Sequence, residues 1–320
     1  MRILITGGFG FIGGRLAVHL AQAGHQIVLG SRKAISPPAW LQHAEVKQIE
    51  WDDSRALELS CNGVDVVIQA AGMNAQDCAT DPVAALAFNG VSTARLHAAA
   101  SRVGVSRFIY LSTAHVYASP LVGEISEATC PRNLHPYATS HLAGENVVLS
   151  ANQRGQIEGI VLRLSNAFGA PAHKDVNCWM LLVNDLCRQA LQTNKMVLLS
   201  NGSQLRDFIS MEQVCNVIEK LSSRGTDTLP TNILNVGSGV SQSVLEMARL
   251  IQHRCKLFLG TEPELSYQGK GPNKKHEVLE FRPTRLEKMG IVVDHDNDVE
   301  IDRLLAFCQT SFNPSQSKKT

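Results

Sequence analysis

The stretch ILITGGFGFIGG, residues 3–14, decides the fold of this chain. Residues 3–6 are an apolar run that predicts a strand, and apolar residues recur at helical spacing after the glycines. Between the strand and the helix lie Gly7, Gly10 and Gly13. Glycine permits a tight turn and close backbone approach, and a helix N-terminus offers free N–H groups and a positive dipole end to a pyrophosphate. Because a second strand ends about 20 residues later, the stretch predicts a dinucleotide site rather than a turn without a ligand.

Strands and helices alternate through the first half of the sequence. Further short β-branched or aromatic runs occupy residues 25–30, 46–49, 64–71, 105–112 and 157–164. One helix is predicted from Asp81, which can cap the first turn, with Pro82 at the first helical position, to about Val103. Another is predicted from Tyr137 to about Asn152. This alternation predicts an α/β fold with a doubly wound parallel sheet.

The second half has shorter elements, separated by loops rich in glycine, proline and polar residues, such as FGAPAHKD and SNGSQ. We therefore expect a dinucleotide-binding domain over residues 1–165, with 203–237 returning to it. A smaller, partly discontinuous substrate domain is expected over 166–202 and 238–310. The polar tail, 311–320, is expected to be disordered.

The composition favours a globular protein with small-molecule ligands. The 320 residues are 44% hydrophobic and 18% charged, enough to bury a sizeable core. A formal net charge of +1 gives no broad basic face, so neither nucleic acid nor a membrane is expected as a partner. Eight scattered cysteines without a C-x-x-C pair predict reduced thiols, a cytoplasmic location and no metal site. No apolar segment predicts a signal peptide or a membrane span.

The end of the second strand, LGSRK at residues 29–33, bears on the choice of dinucleotide. An NAD site usually places an acidic residue here, on the 2′-hydroxyl of the adenosine ribose, and this chain has none. Arg32 can bind a 2′-phosphate with its planar fork while Ser31 donates beside it; alternatively, Arg32 stacks on the adenine or is solvated. Asp52, after the third strand, is a candidate contact for the adenine edge. The pattern favours NADP, with NAD as the alternative.

Several motifs follow one another along nearly the whole chain. They are TGGFGFIGG, VDVVIQAAG, AFNGVS, FIYLSTAHVY, PYATSH, VLRLSNAFGAP and LRDFISMEQV. Together they resemble the extended short-chain dehydrogenase/reductases of the NAD-dependent epimerase/dehydratase family, which act on nucleotide sugars. The resemblance implies a Rossmann-type sheet with a smaller substrate domain, and we expect a homodimer.

The resemblance and the residue patterns together give a candidate site. The expected cofactor contacts are Gly7, Gly10, Phe11, Ile12, Gly13, Ser31, Arg32, Asp52, Ala70, Ala71, Asn89, Tyr137 and His141. The expected catalytic residues are Tyr137, Thr113, His141 and His115. The expected substrate contacts are Thr113, Asn166, Asn177 and Arg206.

The substrate contacts have distinct implied roles. Thr113 and Tyr137 would polarise a carbonyl with their hydroxyls, although a strand-end threonine can instead bond to the backbone. Asn166 and Asn177 resemble the amides that contact the sugar and pyrophosphate. Arg206 resembles the arginine that reaches the diphosphate. Its alternative is an ion pair with Asp207 or Glu212, and a further phosphate-binding base is expected among Lys270, Lys274 and Lys275.

His115 departs from the family's dehydratases, which resemble TDEVYG at this place and need both carboxylates to eliminate water. This chain has Ala114 and His115 there, which argues against a dehydratase. An imidazole at this position can act as an acid/base for epimerisation near neutral pH, or it can only shape the pocket. Both interpretations stay open.

His141 stands where the family pattern Tyr-x-x-x-Lys has lysine. The lysine's charge lowers the pKa of the tyrosine and its ammonium binds the nicotinamide ribose. A histidine with a pKa of about 6.5 is protonated only about a quarter of the time at pH 7. We expect Tyr137 and His141 to work as a pair, with His141 as ribose contact and partial cation. A slow enzyme, or a protein that binds without turnover, is the alternative.

The direction of reaction follows from the protonation of Tyr137. Ketone reduction needs the protonated tyrosine, whereas alcohol oxidation needs a phenolate that costs roughly 4 kcal/mol to form near pH 7. We therefore expect an NADP(H)-dependent reductase or epimerase-reductase acting on a nucleotide-linked 4-keto-sugar. The alternatives are a UDP-hexose 4-epimerase with retained NAD and a catalytically weakened, dinucleotide-binding regulator.

Overall fold

The computed structural model describes residues 1–225, 232–268 and 278–312. Within these ranges the strands are β1 (Arg2–Thr6), β2 (Gln26–Ser31), β3 (Glu45–Gln48), β4 (Val66–Gln69), β5 (Arg107–Thr113), β6 (Gly123–Ile125), β7 (Glu158–Leu164), β8 (Asn166–Phe168), β9 (Lys195–Leu198), β10 (Leu205–Ser210), β11 (Ile233–Val236), β12 (Ser241–Ser243), β13 (Glu264–Tyr267) and β14 (Leu279–Phe281). The helices are α1 (Phe11–Gln22), α2 (Ser54–Cys61), α3 (Ala75–Thr80), α4 (Pro82–Ala85), α5 (Thr93–Arg102), α6 (Pro136–Gln153), α7 (Leu182–Thr193), α8 (Met211–Ser223), α9 (Val244–Leu259), α10 (Thr284–Lys288) and α11 (Asp298–Phe312).

Seven parallel strands form the central sheet, in the order β11-β7-β5-β4-β1-β2-β3. The inner strands β1, β4, β5 and β7 are buried along nearly their whole length, as in sheets covered by helices on both faces. The strand order reverses between β1 and β4, the place where α/β sheets open a ligand crevice. The sheet confirms the predicted α/β Rossmann-type fold. Six of its seven strands begin and end within two residues of the predicted runs, and β11 was not predicted as a strand.

The helix predicted from Asp81 begins as expected. The Asp81 carboxylate accepts a hydrogen bond from Ala84 N at 2.9 Å, and Pro82 takes the first helical position. Helix α4 then passes through a π-helical segment, Leu86–Ser92, into α5. Wide turns of this kind are frequent at functional sites, and this one buries Asn89 behind the ligand crevice.

The second half of the chain builds smaller sheets around a second core. Strand β10 pairs with β8 and β12 in a three-stranded sheet, whereas β11 extends the central sheet beside β7. Helices α7, α9 and α11 bury a separate apolar cluster that includes Leu186, Met247 and Leu304. The domain boundaries stay a prediction, and of the returning segment β11, but not β10, lies in the central sheet.

The predicted tail is partly helical. Residues 311 and 312 belong to α11. The Phe312 ring packs edge-on against Trp179, with centroids 4.8 Å apart, and this contact stabilises the end of the helix. Residues 313–320 lie outside the described ranges.

Glu300 links the last helix to the first. Its side chain is 1% exposed, and Oε2 pairs with Arg15 of α1 at 3.1 Å. The other oxygen, Oε1, accepts the Ala170 N–H at 3.0 Å, just after β8. The contact fixes the segment after β8 against the glycine-rich turn, where the crevice opens.

The remaining sequence expectations concern the whole chain. All eight cysteines are free thiols, and seven of them are buried. Among the residues that the structure describes, no helix is long and apolar enough to cross a bilayer. The same residues contain no group of three or more His, Cys, Asp or Glu side chains that could hold a metal ion.

Candidate active site

A cleft of about 470 Å³ lies between the carboxyl ends of the central strands and the segment that follows β8. It brings together most of the predicted site residues, namely Gly10, Phe11, Ile12, Gly13, Ala70, Ala71, Thr113, His115, Tyr137, His141, Asn166, Asn177 and Arg206. The sequence did not point to several other wall residues, among them Gly72, Met73, Met180 and Phe208. The predicted residues outside these walls are Gly7, Ser31, Arg32, Asp52 and Asn89.

The glycine-rich turn between β1 and α1 leaves no room for side chains. Gly7 has a φ of +68°, and a Cβ there would lie 2.7 Å from Ala71 N. A Cβ on Gly13 would lie 2.3 Å from the Gly7 carbonyl oxygen. Gly10 is the N-cap residue of α1 and has no side chain that could accept a hydrogen bond from the helix. The first N–H groups of the helix are therefore available to a ligand. This bare helix N-terminus beside the cleft fits a dinucleotide pyrophosphate.

The end of β2 lies in a second cavity of about 510 Å³, which Arg32 lines with Trp51 and Asp52. Arg32 is exposed, and Ser31 Oγ accepts the Lys33 N–H at 3.1 Å. Asp52 is exposed and paired with Arg95, which the sequence did not predict. The cavity also contains Glu50 and Asp53. It is therefore a mixed electrostatic environment, with Arg32 as its exposed cation.

Tyr137, near the start of α6, lies beside the end of β5. The Thr113 hydroxyl hydrogen-bonds the phenol of Tyr137 and also accepts the His115 N–H at 3.1 Å. Burial raises the pKa of Tyr137, and the bond from Thr113 opposes this only in part. The tyrosine is therefore a neutral phenol near pH 7 and can act as a proton donor.

His141 lies one turn along α6 from Tyr137, and its ring is buried. Burial lowers the pKa of His141 to about 4. The expectation of a partial cation is therefore wrong: at pH 7 the imidazole is neutral, since no carboxylate compensates the desolvation of its charged form. Its Nδ1 lies 3.1 Å from Tyr110 Oη, on the side away from the cleft. His141 retains hydrogen-bonding capacity but supplies no charge.

His115 occupies a short 3₁₀ turn, Ala114–Val116, directly after β5. Burial lowers the pKa of His115, and the nearby Arg206 charge adds to this effect. Its Nδ1 is buried without a hydrogen-bond partner among the described residues. His115 lines the cleft, but this nitrogen is buried, so only Nε2 could transfer a proton there; the ring suits a pocket wall equally well.

Arg206 is a half-buried cation in the wall of the cleft. Its guanidinium donates to Gln204 Oε1 at 3.1 Å, and burial lowers its pKa. The ion pairs considered from the sequence do not form: Asp207 accepts bonds from residues 238 and 239, and Glu212 pairs with Arg303. A partly desolvated guanidinium without a carboxylate partner is suited to an anionic group such as a phosphate.

The two predicted amide side chains differ in their hydrogen bonding and exposure. Asn166 Nδ2 donates to the Asp207 carbonyl oxygen at 2.8 Å, which leaves its Oδ1 toward other partners. Asn177 is exposed at the rim of the cleft. The expected phosphate-binding lysines, Lys270, Lys274 and Lys275, lie outside the described residues.

Asn89 lies one layer behind the cleft rather than on its surface. Its Oδ1 accepts the Met73 N–H at 3.0 Å, and its Nδ2 donates to Ser140 Oγ at 3.0 Å. Because both ends of the amide are bonded, Asn89 fixes the wall at Met73, and its expected contact with the cofactor stays a prediction. The buried residue that the sequence analysis missed is Tyr110; its only sequence signal is an aromatic hydroxyl inside the apolar run of β5.

Known proteins resemble this chain along most of its length. The family model for the NAD dependent epimerase/dehydratase family matches residues 3–237. A putative UDP-glucose 4-epimerase of Methanocaldococcus jannaschii is 25% identical over 260 residues, which cover 78% of this chain and 81% of the relative. The dTDP-6-deoxy-L-talose 4-dehydrogenase (NAD(P)(+)) of Kitasatospora kifunensis is 26% identical over 89% of this chain and 88% of its own.

A solved structure extends the similarity to the fold. TunA, described as an NAD dependent NDP-hexosamine 5,6-dehydratase involved in tunicamycin biosynthesis, superposes with a TM-score of 0.76 and 26% identity. The match covers 98% of this chain and 99% of TunA. The family comprises NAD-dependent epimerases, dehydratases and dehydrogenases of the extended short-chain dehydrogenase/reductase class. From its glycine-rich turn through β11, this chain belongs to the NAD dependent epimerase/dehydratase family.

Proposed function

We propose that this enzyme reduces a nucleotide-linked 4-keto-sugar with NADPH. The observation that carries the proposal is the protonation of the catalytic cluster: burial raises the pKa of Tyr137 and lowers that of His141. A neutral phenol next to a neutral imidazole is ready to donate a proton and poorly prepared to accept one.

Reduction matches this arrangement step by step. With substrate bound, the Thr113 hydroxyl would donate to the carbonyl oxygen instead of to Tyr137, and Tyr137 would donate a second hydrogen bond, so that both polarise the C=O bond. When bound, the reduced dinucleotide would provide the hydride for the carbonyl carbon, and Tyr137 donates the proton to the oxygen. The reverse reaction needs the phenolate, and no described cation stabilises it as a lysine at position 141 would.

The proposed preference for NADPH rests on the end of β2. This strand end lacks the carboxylate that NAD sites place on the ribose 2′-hydroxyl, and Arg32 is exposed beside it. A guanidinium pairs with a phosphate dianion through two parallel hydrogen bonds. Glu50 and Asp53 in the same cavity reduce the local positive potential, so Arg32 carries most of the proposed discrimination.

The proposed nucleotide-sugar substrate rests on the opposite wall. Among the described residues Arg206 has no carboxylate partner, and Asn166 and Asn177 line the same cleft. A diphosphate would meet the guanidinium there, with the sugar extending toward Thr113. The names of the relatives from Methanocaldococcus and Kitasatospora support a nucleotide-linked hexose.

If the enzyme is an epimerase-reductase, His115 has an additional role as an acid/base. His115 lines the cleft, and its imidazole would take a proton through Nε2 from the carbon next to the ketone. We expect His115→Ala to abolish solvent deuterium exchange into a keto-sugar while hydride transfer persists. Unchanged exchange would leave His115 as part of the pocket wall and the enzyme as a simple reductase.

A UDP-hexose 4-epimerase with retained NAD is the second candidate, favoured by the relative from Methanocaldococcus. Two measurements separate the candidates. Mass spectrometry of small molecules released from the purified protein detects a retained NAD, which a reductase exchanging NADPH does not carry. Incubation with 4-keto-sugar nucleotides and either reduced dinucleotide then tests reduction directly. Dinucleotide binding without turnover across the panel would contradict both enzymes and favour the regulator.

We also propose a cytoplasmic homodimer. The free thiols support a reducing compartment. Exposed apolar side chains on α4 and the π-helical segment, Val83, Leu86 and Val91, support a protein interface. Light scattering at several protein concentrations tests the dimer, and a monomer throughout would exclude it.

A further inference from the structure

Tyr110 lies directly behind His141, in the middle of β5. It is 1% exposed, and its Oη lies 3.1 Å from His141 Nδ1. The second neighbour of this hydroxyl is the Asn89 carbonyl oxygen at 3.4 Å. Neither residue of the proposed proton transfer, Thr113 or Tyr137, hydrogen-bonds Tyr110 among the described residues. Of the described cleft residues, only His141 hydrogen-bonds this hydroxyl; Asn89 and Thr93 contact it from the core.

The two distances indicate which way the bond between Tyr110 and His141 runs. The Asn89 carbonyl already accepts a bond from Thr93 Oγ1 at 2.6 Å, and Thr93 accepts one from Gln69 Nε2 at 2.7 Å. A contact of 3.4 Å is at the long limit for O–H···O, so Nδ1 at 3.1 Å is the better acceptor for the phenol proton. A neutral imidazole whose Nδ1 accepts must carry its proton on Nε2.

Gly144 creates the space for this hydroxyl. It lies three residues after His141 in α6, and a Cβ there would stand 2.5 Å from Tyr110 Oη and 2.6 Å from the Asn89 oxygen. Burial raises the pKa of Tyr110 far above its ordinary value, so the phenol keeps its proton. The hydroxyl is thus a permanent donor in a space that only glycine leaves open.

The other ring nitrogen of His141 faces the opposite way. Its Cε1–Nε2 edge is the part of the ring nearest to Gly72, a residue of the cleft wall. No described residue hydrogen-bonds Nε2. The imidazole thus separates a core hydroxyl on one side from the cleft on the other.

We propose that Tyr110 is a positioning residue whose hydroxyl donates to His141 Nδ1 and thereby fixes Nε2–H as a neutral hydrogen-bond donor facing the cleft. The use of this donor rests on the proposed function: Nε2–H binds the nicotinamide ribose. A lysine at this position would provide both a hydrogen-bond donor and a positive charge. The pair of Tyr110 and His141 provides the hydrogen-bond donor without a positive charge.

Nitrogen-15 NMR of histidine-labelled protein near pH 7 tests the tautomer without substrate or cofactor. The signal of His141 is identified by its loss in His141→Gln. The expected result is a neutral ring with Nε2 protonated, and a shift of the Nδ1 resonance in Tyr110→Phe. Tyr117→Phe is the matched control: it removes another buried hydroxyl, bonded to Asn235 at 2.8 Å, and should leave the His141 signals unchanged.

A double-mutant cycle tests the link to ligand binding. Tyr110→Phe should weaken NADPH binding about threefold to tenfold, the effect of one impaired hydrogen bond. In the His141→Gln background, where an amide donor replaces Nε2–H and has no tautomer, the same substitution should change the affinity less than twofold. A general loss of packing would instead weaken binding equally in both backgrounds.

The outcomes separate this proposal from the proposed function. An Nδ1-protonated His141 in the parent protein, or unchanged His141 signals in Tyr110→Phe, would overturn the role of Tyr110 whatever the enzyme catalyses. The predicted tautomer together with no dinucleotide binding by the parent would uphold the hydrogen bond and overturn its proposed use on the ribose.

Discussion

The rings of Tyr137 and His141 meet edge to face, with centroids 4.6 Å apart and planes at 72°. The two side chains thus form one surface of the cleft, and neither brings a charge to it near pH 7. The lysine of the family pattern would lie at position 141 as a cation. Here the same helical turn presents a neutral ring, so position 141 places no positive charge beside the phenol.

Tyr137→Phe tests the proton donor. It should lower the turnover of a keto-sugar by about 10²–10⁴-fold, because the carbonyl oxygen loses its general acid, and should leave NADPH affinity nearly intact. Steady-state kinetics and a binding titration measure the two effects. Tyr267→Phe, at a side chain 59% exposed, is the control. Equal rates in Tyr137→Phe and the parent would place the chemistry elsewhere.

His141→Lys tests the absence of charge. A cation within about 4–6 Å lowers a phenol pKa by 1–3 units, so oxidation of the alcohol product at pH 7 should accelerate by tenfold or more. In the parent, reduction should show no titration near pH 6.5, because burial holds the pKa of His141 at about 4. Rate profiles in both directions check this. An inflection near pH 6.5 that disappears in His141→Gln would refute the neutral imidazole.

Arg32→Ala tests cofactor choice. It should weaken NADPH binding roughly tenfold to a hundredfold, since a phosphate loses a bidentate, charge-assisted partner, and should change NADH binding little. Lys33→Ala removes the neighbouring exposed cation and serves as the matched control. Fluorescence titration of both dinucleotides against the parent and the two variants gives the six affinities. Tighter binding of NADH by the parent protein would show that the assignment to NADP is wrong.

His97 should make the fold sensitive to acid. It is 3% exposed, its Nε2 has no described partner, and burial, aided by the Arg154 charge, lowers its pKa to about 4. Between pH 6.5 and 4 the unfolded state binds the proton and the folded state does not, so stability rises with pH across this window and is lost on acidification.

Denaturant unfolding at pH 7 and pH 5 measures this loss. His97→Leu should lose less stability than the parent between the two values, by on the order of 2 kcal/mol. His253→Leu, at an exposed histidine, should follow the parent. Identical losses in His97→Leu and the parent would mean that this residue does not titrate in the window.

Gly144→Ala tests the space that Tyr110 occupies. Alanine favours helices, yet its Cβ would stand 2.5 Å from the Tyr110 hydroxyl, and the overlap should destabilise the protein by about 1–3 kcal/mol. Asn146→Ala, exposed on the same helix, should change stability by no more than about 0.5 kcal/mol. Thermal or denaturant unfolding compares the two. A more stable Gly144→Ala protein would contradict the packing described for this site.

The sequence predicts the features that depend on local order. Residues 3–14 carry the strand, turn and helix in one continuous segment, and hydrophobic periodicity alone is enough to find them. The same holds for Asp81 and Pro82, since a cap and a first helical position are neighbours in the chain.

The electrostatics of the site depend on tertiary burial, which no local pattern encodes. The low pKa of His141 arises because helix α6 packs its ring against β5, bringing Tyr110 to it across 31 positions. Arg206 likewise forms no ion pair with its sequence neighbours Asp207 and Glu212, because both form bonds elsewhere in the described part of the fold. Residue type and spacing identify both side chains, but only the packing sets their charge.

The ion pair between Arg15 and Glu300 joins residues 285 positions apart. During synthesis Arg15 emerges early and Glu300 much later. Strand β11, which covers the edge of β7, also emerges late. A nascent chain therefore presents an unpaired edge at β7 until residues 233–236 leave the ribosome, and such edges attract other strands. The central sheet, whose first strand forms at residues 2–6, is therefore complete only after β11 has emerged.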